Sequence, residues 1–162
     1  WMTTPTISPV LIVASIPVVF VILGDVMDEL SMLLLVFLGI CLGLQISLEY
    51  SEENDTRTLG LFPGKVRRFA LSDPSLKVPH MGWNQVVPQR DSPLTRGLGD
   101  DAYVYFVHSY AAPVGPWTEA VTDYGGEFSA IVRHANFHGA QFHPERSSRA
   151  GQRILANFLA LA

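Results

Sequence analysis

At 162 residues the chain has the length of one domain with a sizeable core, and 48% hydrophobic against 16% charged residues makes it globular but charge-poor. A formal net charge of -4, with no basic tract longer than Arg67-Arg68, excludes an electrostatic footprint for nucleic acid. The single cysteine, Cys41, cannot close an internal disulfide, so the fold does not depend on an oxidising compartment.

The first 50 residues differ from the rest. Pro9 to Gly24 and Met32 to Leu48 are apolar runs of 16 and 17 residues, and no Lys or Arg precedes Arg57. Both runs are shorter than the ~20 residues of a spanning helix, Pro17 interrupts the first, and neither has flanking basic residues. Trp1 to Ser8 carries no positive n-region of a secretory signal. Continuous Val/Ile/Leu runs suit strands buried on both faces of a parallel sheet, and that is the expectation; membrane association through residues 9–48 stays as the alternative.

In chain order, Val18 to Leu23 reads as a strand and Asp25 to Leu33 as a short helix opened by an acid. Leu34 to Ile40 is a second buried strand, and Leu42 to Tyr50 is helical. Lys65 to Phe69, Asn84 to Val87, Tyr103 to Val107, Glu119 to Thr122, Phe128 to Arg133 and Gly139 to Phe142 are strands between Pro/Gly/Asp turns. Arg149 to Leu161 closes the chain as an amphipathic helix, with Ile154, Leu155, Phe158 and Leu161 at helical spacing. Strand-helix alternation followed by a run of strands predicts an α/β domain with an antiparallel extension.

Two segments carry chemistry. In the first, a buried strand runs into Cys41, which is flanked by Gly39 and Gly43, and a helix follows. A sharp strand-to-helix turn strains the nucleophile's backbone and crowds its neighbours, so glycines are needed beside it. Such an elbow holds the sulfur clear of the sheet at a helix N-terminus, which favours thiolate, and it aims the Leu42 N–H at a developing oxyanion. The bland alternative is a small buried hydrophobe. The second segment is Gly139-Ala-Gln-Phe-His-Pro-Glu-Arg146, read as a strand ending at His143. Residues two apart in extended chain share a side, so Glu145 can hold the His143 ring nitrogen facing away from Cys41. A cysteine nucleophile needs such a base and such an orienter. His134, His138 and His143 match no familiar metal-ligand spacing.

Together these segments resemble the class I glutamine amidotransferases, and within them the glutaminases of histidine biosynthesis. The resemblance is carried by Leu38-Gly-Ile-Cys-Leu-Gly-Leu-Gln45, Tyr50-Ser-Glu-Glu53, Gly60-Leu-Phe-Pro-Gly-Lys-Val66, Lys77-Val-Pro-His-Met-Gly-Trp-Asn84, Tyr105-Phe-Val-His-Ser-Tyr110 and Gln141-Phe-His-Pro-Glu145. It implies one amidotransferase domain over 1–162, family-like over 37–162 and divergent over 1–36. The implied fold is flavodoxin-like: a mixed sheet with helices on both faces and a reduced N-terminal βαβ portion. The implied activity is hydrolysis of glutamine to glutamate and ammonia by Cys41, His143 and Glu145, without cofactor or metal, in the cytoplasm. Gln45, Leu42 and Gly43 would bind substrate together with the backbone of His108, Ser109 and Tyr110. Ammonia would pass to a (β/α)8-barrel cyclase that makes imidazole glycerol phosphate, with Met81, Trp83, Asn84 and Arg146 at that interface and Tyr110 lying towards it. The plainer readings, Trp83 and Tyr110 as core or rim aromatics and His80 and His108 as histidines satisfied by backbone, stay open beside these.

The chain departs from the family in its first third. The Tyr-Gly-x-Gly-Asn turn is not found in residues 1–17, and Val21-Ile-Leu-Gly-Asp-Val-Met27 passes directly from strand to helix where family members carry Pro-Gly-Val-Gly-Ala-Phe. One glycine of that segment supplies the second oxyanion hydrogen bond in the family. Its loss implies a damaged oxyanion hole, or at the limit a non-catalytic, partner-binding remnant. Arg146 stands where the family usually has lysine.

Overall fold

The computed structural model describes residues 10–15, 18–23 and 36–161, the first two segments through their backbone pairing. The strands are β1 (Val10–Ser15), β2 (Val18–Leu23), β3 (Val36–Cys41), β4 (Tyr50–Ser51), β5 (Thr56–Arg57), β6 (Lys65–Arg68), β7 (His80–Gln85), β8 (Val87–Pro88), β9 (Tyr103–His108), β10 (Tyr110–Ala111), β11 (Thr118–Asp123), β12 (Glu127–His134) and β13 (Phe137–Ala140). Helix α1 is Leu42–Gln45 and α2 is Ser148–Leu159. A seven-stranded sheet in the order β1-β2-β3-β13-β12-β11-β8 forms the centre, beside a four-stranded sheet β10-β6-β4-β5 and the pair β7-β9.

The first apolar run is strand, as expected, but its setting differs. β1 pairs with β2 and β2 with β3, both antiparallel, and the parallel pair in this sheet is β3 with β13. Two residues link Ser15 to Val18. That allows only an antiparallel return, since a parallel crossover needs a dozen or more. The sheet is therefore mixed, as the family resemblance implies, and the first apolar run enters it antiparallel rather than as strands of a parallel sheet. Among the described residues no helix is long and apolar enough to cross a membrane. The expected helix Asp25 to Leu33 lies outside the described residues.

Helices cover both faces. His138 and Gly139 are neighbours on β13 and so point to opposite sides. The His138 ring meets Phe158 of α2 at 6.1 Å between centroids, while a Cβ on Gly139 would come within 2.9 Å of Leu44 in α1. Each helix seals its own apolar layer. Ile154 and Phe158 join Leu38, Phe106 and Phe142 beneath α2, and Leu44 and Leu48 join Phe62, Val66 and Trp117 beneath α1. Burying each such aliphatic or aromatic side chain stabilises the fold by ~1.5–3 kcal/mol.

Gly39 and Gly139 stand opposite each other in the β3–β13 register. A Cβ on Gly39 would lie 2.6 Å from the Gly43 carbonyl carbon. The paired glycines form a trough in which α1 rests against the sheet backbone.

Three elements end where the sequence did not predict. Helix α1 stops at Gln45 and the chain is strand again by Tyr50, against the expected helix Leu42 to Tyr50. The carbonyls that would continue it are taken by a loop distant in sequence: Ile46 accepts from the Leu59 N–H, Ser47 from Leu61 and Phe62, and Leu48 from Gly60. The strand expected over Gly139 to Phe142, and read as ending at His143, ends at Ala140, and the chain bends through Phe142 into a 3₁₀ turn, Pro144–Arg146. The strand expected over Asn84 to Val87 instead begins at His80 and breaks at Val86, whose N–H bonds Ala102 rather than a ladder partner.

Candidate active site

Cys41 ends β3 and immediately precedes α1, with φ 52° and ψ -106°. A non-glycine residue adopts such positive φ only where its surroundings over-determine it, and the cost is roughly 1–3 kcal/mol. Here β3 pairs on both sides while α1 presses onto Gly39, so the chain must reverse within one residue. The elbow expected from the two glycines is present.

The thiol itself departs from expectation. Cys41 is buried, at 8% exposure, and burial pushes its pKa from an ordinary 9.0 to about 11. The Leu42 N–H pulls the other way, and the charges of Glu145 and Glu53 add to the rise. Expected thiolate is corrected to thiol, because a single-turn α1 cannot offset desolvation. The folded thiol holds its proton more tightly than the unfolded one, so this stabilising difference is complete below pH 9 and is lost between 9 and about 11. Alkylation of Cys41 by iodoacetamide is therefore expected to climb about tenfold per pH unit from neutrality to beyond pH 10. A plateau already reached by about pH 8 would show instead that an imidazole takes the proton in the resting protein.

β3 and β13 run parallel with Ile40 opposite Ala140, so Cys41 and the segment after Ala140 emerge at the same sheet edge. Gln141, fully buried, points its Nε2 at the Cys41 Sγ from 3.8 Å. His143 follows two residues later. Its Nδ1 lies 2.7 Å from Glu145 Oε1, the contact expected from their spacing, though made across the 3₁₀ turn rather than along extended chain. The His143 backbone is clamped to β9. Its N–H donates to Tyr105 O at 2.9 Å, and its carbonyl accepts from the Ser147 Oγ at 2.6 Å while the Tyr105 N–H donates to that same hydroxyl at 3.0 Å. The sequence assigns no role to Ser147 or Gln141; for Gln141 the available signal is a polar residue at a buried position of the Gln-Phe-His-Pro-Glu run.

The other expected residues divide into two groups. Gln45 is buried, and its Nε2 donates to Tyr110 O at 2.7 Å and to Gln141 Oε1 at 3.1 Å. His108 Nδ1 lies 2.8 Å from the same Tyr110 carbonyl, and the Ser109 carbonyl accepts from the Phe69 N–H. A cleft of about 320 Å³ lined by Leu42, Gln45, Ile46, Ser51, Glu53 and Asn54 runs past the elbow. Gly43 is buried beneath it, with its carbonyl bonded to the Ser47 hydroxyl at 2.6 Å. These residues gather around one edge.

The expected interface residues gather elsewhere. Met81 and Trp83 are 62% and 53% exposed on the outer side of β7. Trp83 meets Tyr105 across the β7–β9 pair, and the Arg146 guanidinium lies 5.7 Å from the Tyr105 ring. Asn84 does not join them. It faces the opposite side, where its Nδ2 donates to Asp123 O at 2.9 Å and lies 3.4 Å from His80 Nε2. Tyr110 is also turned away, half-buried against the layer beneath α1. His80 Nδ1 in turn lies 3.2 Å from His108 Nε2. Burial holds both rings well below the usual histidine range, His80 to about 4 and His108 to about 3. His80 is thus satisfied by side chains, not by the backbone. Among the described residues no group of three or more His, Cys, Asp and Glu side chains is arranged to hold a metal.

The family model for class I glutamine amidotransferases matches residues 25–162. The imidazole glycerol phosphate synthase subunit HisH of Xanthomonas axonopodis pv. citri is 54% identical over 125 residues, covering 77% of this chain and 62% of that protein. The subunit of the same name from Xylella fastidiosa is 53% identical over 124 residues, 76% of this chain and 62% of its own. That of Xanthomonas euvesicatoria pv. vesicatoria is 51% identical over 135 residues, 83% of this chain and 67% of its own. The chain thus spans about three fifths of the length of the first two relatives. The crystal structure of a GMP synthase subunit from Thermoplasma acidophilum superposes with a TM-score of 0.52 at 19% identity, over 76% of this chain and 55% of that one, and speaks for the fold alone.

Proposed function

The chain belongs to the class I glutamine amidotransferases, and from that premise we propose that it hydrolyses the side-chain amide of glutamine and hands the ammonia to a synthase partner. The observation that carries this reading is the strained Cys41 at the sheet edge from which the hydrogen-bonded His143–Glu145 pair also emerges. In the proposed reaction the Cys41 sulfur attacks the amide carbon and its proton passes to His143. Burial of the thiol supports transfer in step with attack rather than a standing thiolate. Glu145 holds the imidazole in the Nδ1–H tautomer, leaving Nε2 to take that proton. His143 then returns the proton to the leaving nitrogen as ammonia departs and a glutamyl thioester remains. Water, deprotonated by the same imidazole, cleaves the thioester to glutamate and free Cys41. The Leu42 N–H, already directed at the sulfur, would stabilise the tetrahedral oxygen. The cleft beside Leu42 and Gln45 would hold the substrate.

The partner face in this reading is the outer side of β7 with Arg146. Its exposed Met81 and Trp83, with Tyr103 of the paired strand β9, form an apolar surface of the kind that seeks a partner protein. The relatives are named as subunits of imidazole glycerol phosphate synthase, which supports that synthase as the partner; in the proposal the chain acts as one amidotransferase domain beside a cyclase barrel in the cytoplasm.

Trapping tests the reading directly. A glutamine analogue with an electrophilic side-chain terminus should add one mass equivalent at Cys41, and excess glutamine should suppress it. Modification that ignores glutamine, or none at all while iodoacetamide still reacts, would count against a glutamine site.

A further inference from the structure

The hydrogen bonds around Cys41 form one chain whose polarity is set at its far end. The carbonyl of Tyr110 is backbone and can only accept. One of its lone pairs takes the His108 Nδ1–H at 2.8 Å and the other the Gln45 Nε2–H at 2.7 Å. Gln45 therefore cannot flip, since that would set its carbonyl oxygen against the Tyr110 carbonyl. Its second Nε2 hydrogen points to Gln141 Oε1 at 3.1 Å, so Gln141 cannot flip either. What remains of the Gln141 amide is its N–H, and it faces the Cys41 sulfur at 3.8 Å. His108 is locked in the same way. With Nδ1 donating, its Nε2 accepts from His80 Nδ1, and His80 Nε2 accepts from Asn84. Each ring nitrogen in the line is used once, in one direction, and each amide nitrogen only donates. Both imidazoles must be neutral for this to hold, because a second ring proton would face a donor.

Resting on the glutaminase reading, we propose that Gln141 is a positioning residue for Cys41, its carboxamide fixed at the oxygen by Gln45 and its N–H turned on the sulfur. The sulfur borders the apolar layer of Ile40, Phe106 and Phe142, and the Leu42 N–H reaches it from the helix side. A donor on one side holds it towards the sheet edge and strengthens as negative charge grows on sulfur during attack. Gln141 is fully buried and does not line the cleft, so it acts through Cys41 and not on the substrate.

Gln141→Glu is the informative substitution in the full chain. It preserves the shape and still accepts from Gln45, so the substrate side is unchanged, but it offers the sulfur a carboxylate in place of a donor. We expect iodoacetamide alkylation of Cys41 to slow by about tenfold at each pH below 10. We expect kcat for glutamate release to fall by about ten- to a hundredfold with KM within about threefold. Gln141→Met, which removes donor and acceptor together, should lower kcat similarly and raise KM, because Gln45 then loses a partner. An unchanged alkylation profile in Gln141→Glu overturns the proposal, as does an equal change in kcat and KM. Absence of glutamate release from the wild type, with the alkylation difference intact, would refute the glutaminase reading and leave the positioning role standing. Should Gln141→Glu not fold, the wild-type side-chain amide resonances decide: alkylating Cys41 must shift those of Gln141, and constancy of those signals overturns the role.

Discussion

Cys41→Ala is expected to release no glutamate above background, His143→Ala to lose about 10³–10⁴ of the turnover, and the double variant to be no worse than Cys41→Ala alone. In the proposed reaction the three residues act as a unit: without the sulfur there is nothing for the base to activate, and without the base a thiol pushed up to about 11 is almost wholly protonated at neutral pH. Glu145→Gln keeps the shape of the 2.7 Å contact but can donate to Nδ1, which favours the wrong tautomer; a loss of roughly 10²–10⁴ is expected. Stability moves in the opposite direction. Cys41 holds φ 52°, a conformation open to glycine and costly for any residue with a Cβ. Cys41→Gly should therefore melt higher than Cys41→Ala, by roughly 1 kcal/mol once the entropy of glycine is subtracted. A Cys41→Gly chain less stable than Cys41→Ala would show that the elbow is not strained. Glutamate release that survives in Cys41→Ala would leave a partner-binding remnant as the better account of the chain.

Gly151→Ala should damage both fold and catalysis from the far side of the His143 turn. Gly151 lies in the first turn of α2, where it packs against the 3₁₀ turn that carries Glu145. A Cβ there would sit 1.9 Å from the Pro144 carbonyl oxygen and 2.9 Å from the Ser147 Cβ. Backbone cannot rotate away as a flexible side chain can, so either α2 lifts or the turn moves by more than an ångström. Lifting α2 uncovers Ile154 and Phe158, both buried in the layer beneath it. Moving the turn disturbs Ser147, whose hydroxyl joins the His143 carbonyl to the Tyr105 N–H, and with it the His143–Glu145 contact. Overpacking of this kind costs about 1–3 kcal/mol, or some 3–10 °C in Tm for a domain of this size. A misplacement of about 1 Å at a catalytic group lowers turnover about a hundredfold. Calorimetry and the rate of trapping by a glutamine analogue read the two effects separately. Unchanged melting and unchanged trapping together would mean that α2 and the turn are not in the contact described.

What the sequence by itself determined is local. Gly39 and Gly43 around Cys41 mark a strand that must turn at once into a helix, because a Cβ at Gly39 has no room. The i, i+2 spacing of His143 and Glu145 brings imidazole and carboxylate together within one turn of chain. Ile154 and Phe158 at helical spacing are buried, as their periodicity requires. Tertiary structure decided the rest, because the deciding partners lie far away along the chain. Helix α1 ends at Gln45 because residues 59–62 claim the next carbonyls, a competition invisible in the apolar pattern of Leu42 to Leu48. The thiol is a thiol because of what buries it. The role of Gln141 rests on contacts spanning 65, 96 and 100 residues, closed only when β3 and β13 align in parallel. Residue type and spacing set the side to which a group points; only the completed sheet sets what it meets there, and for a buried polar group the partner determines both its charge and its direction.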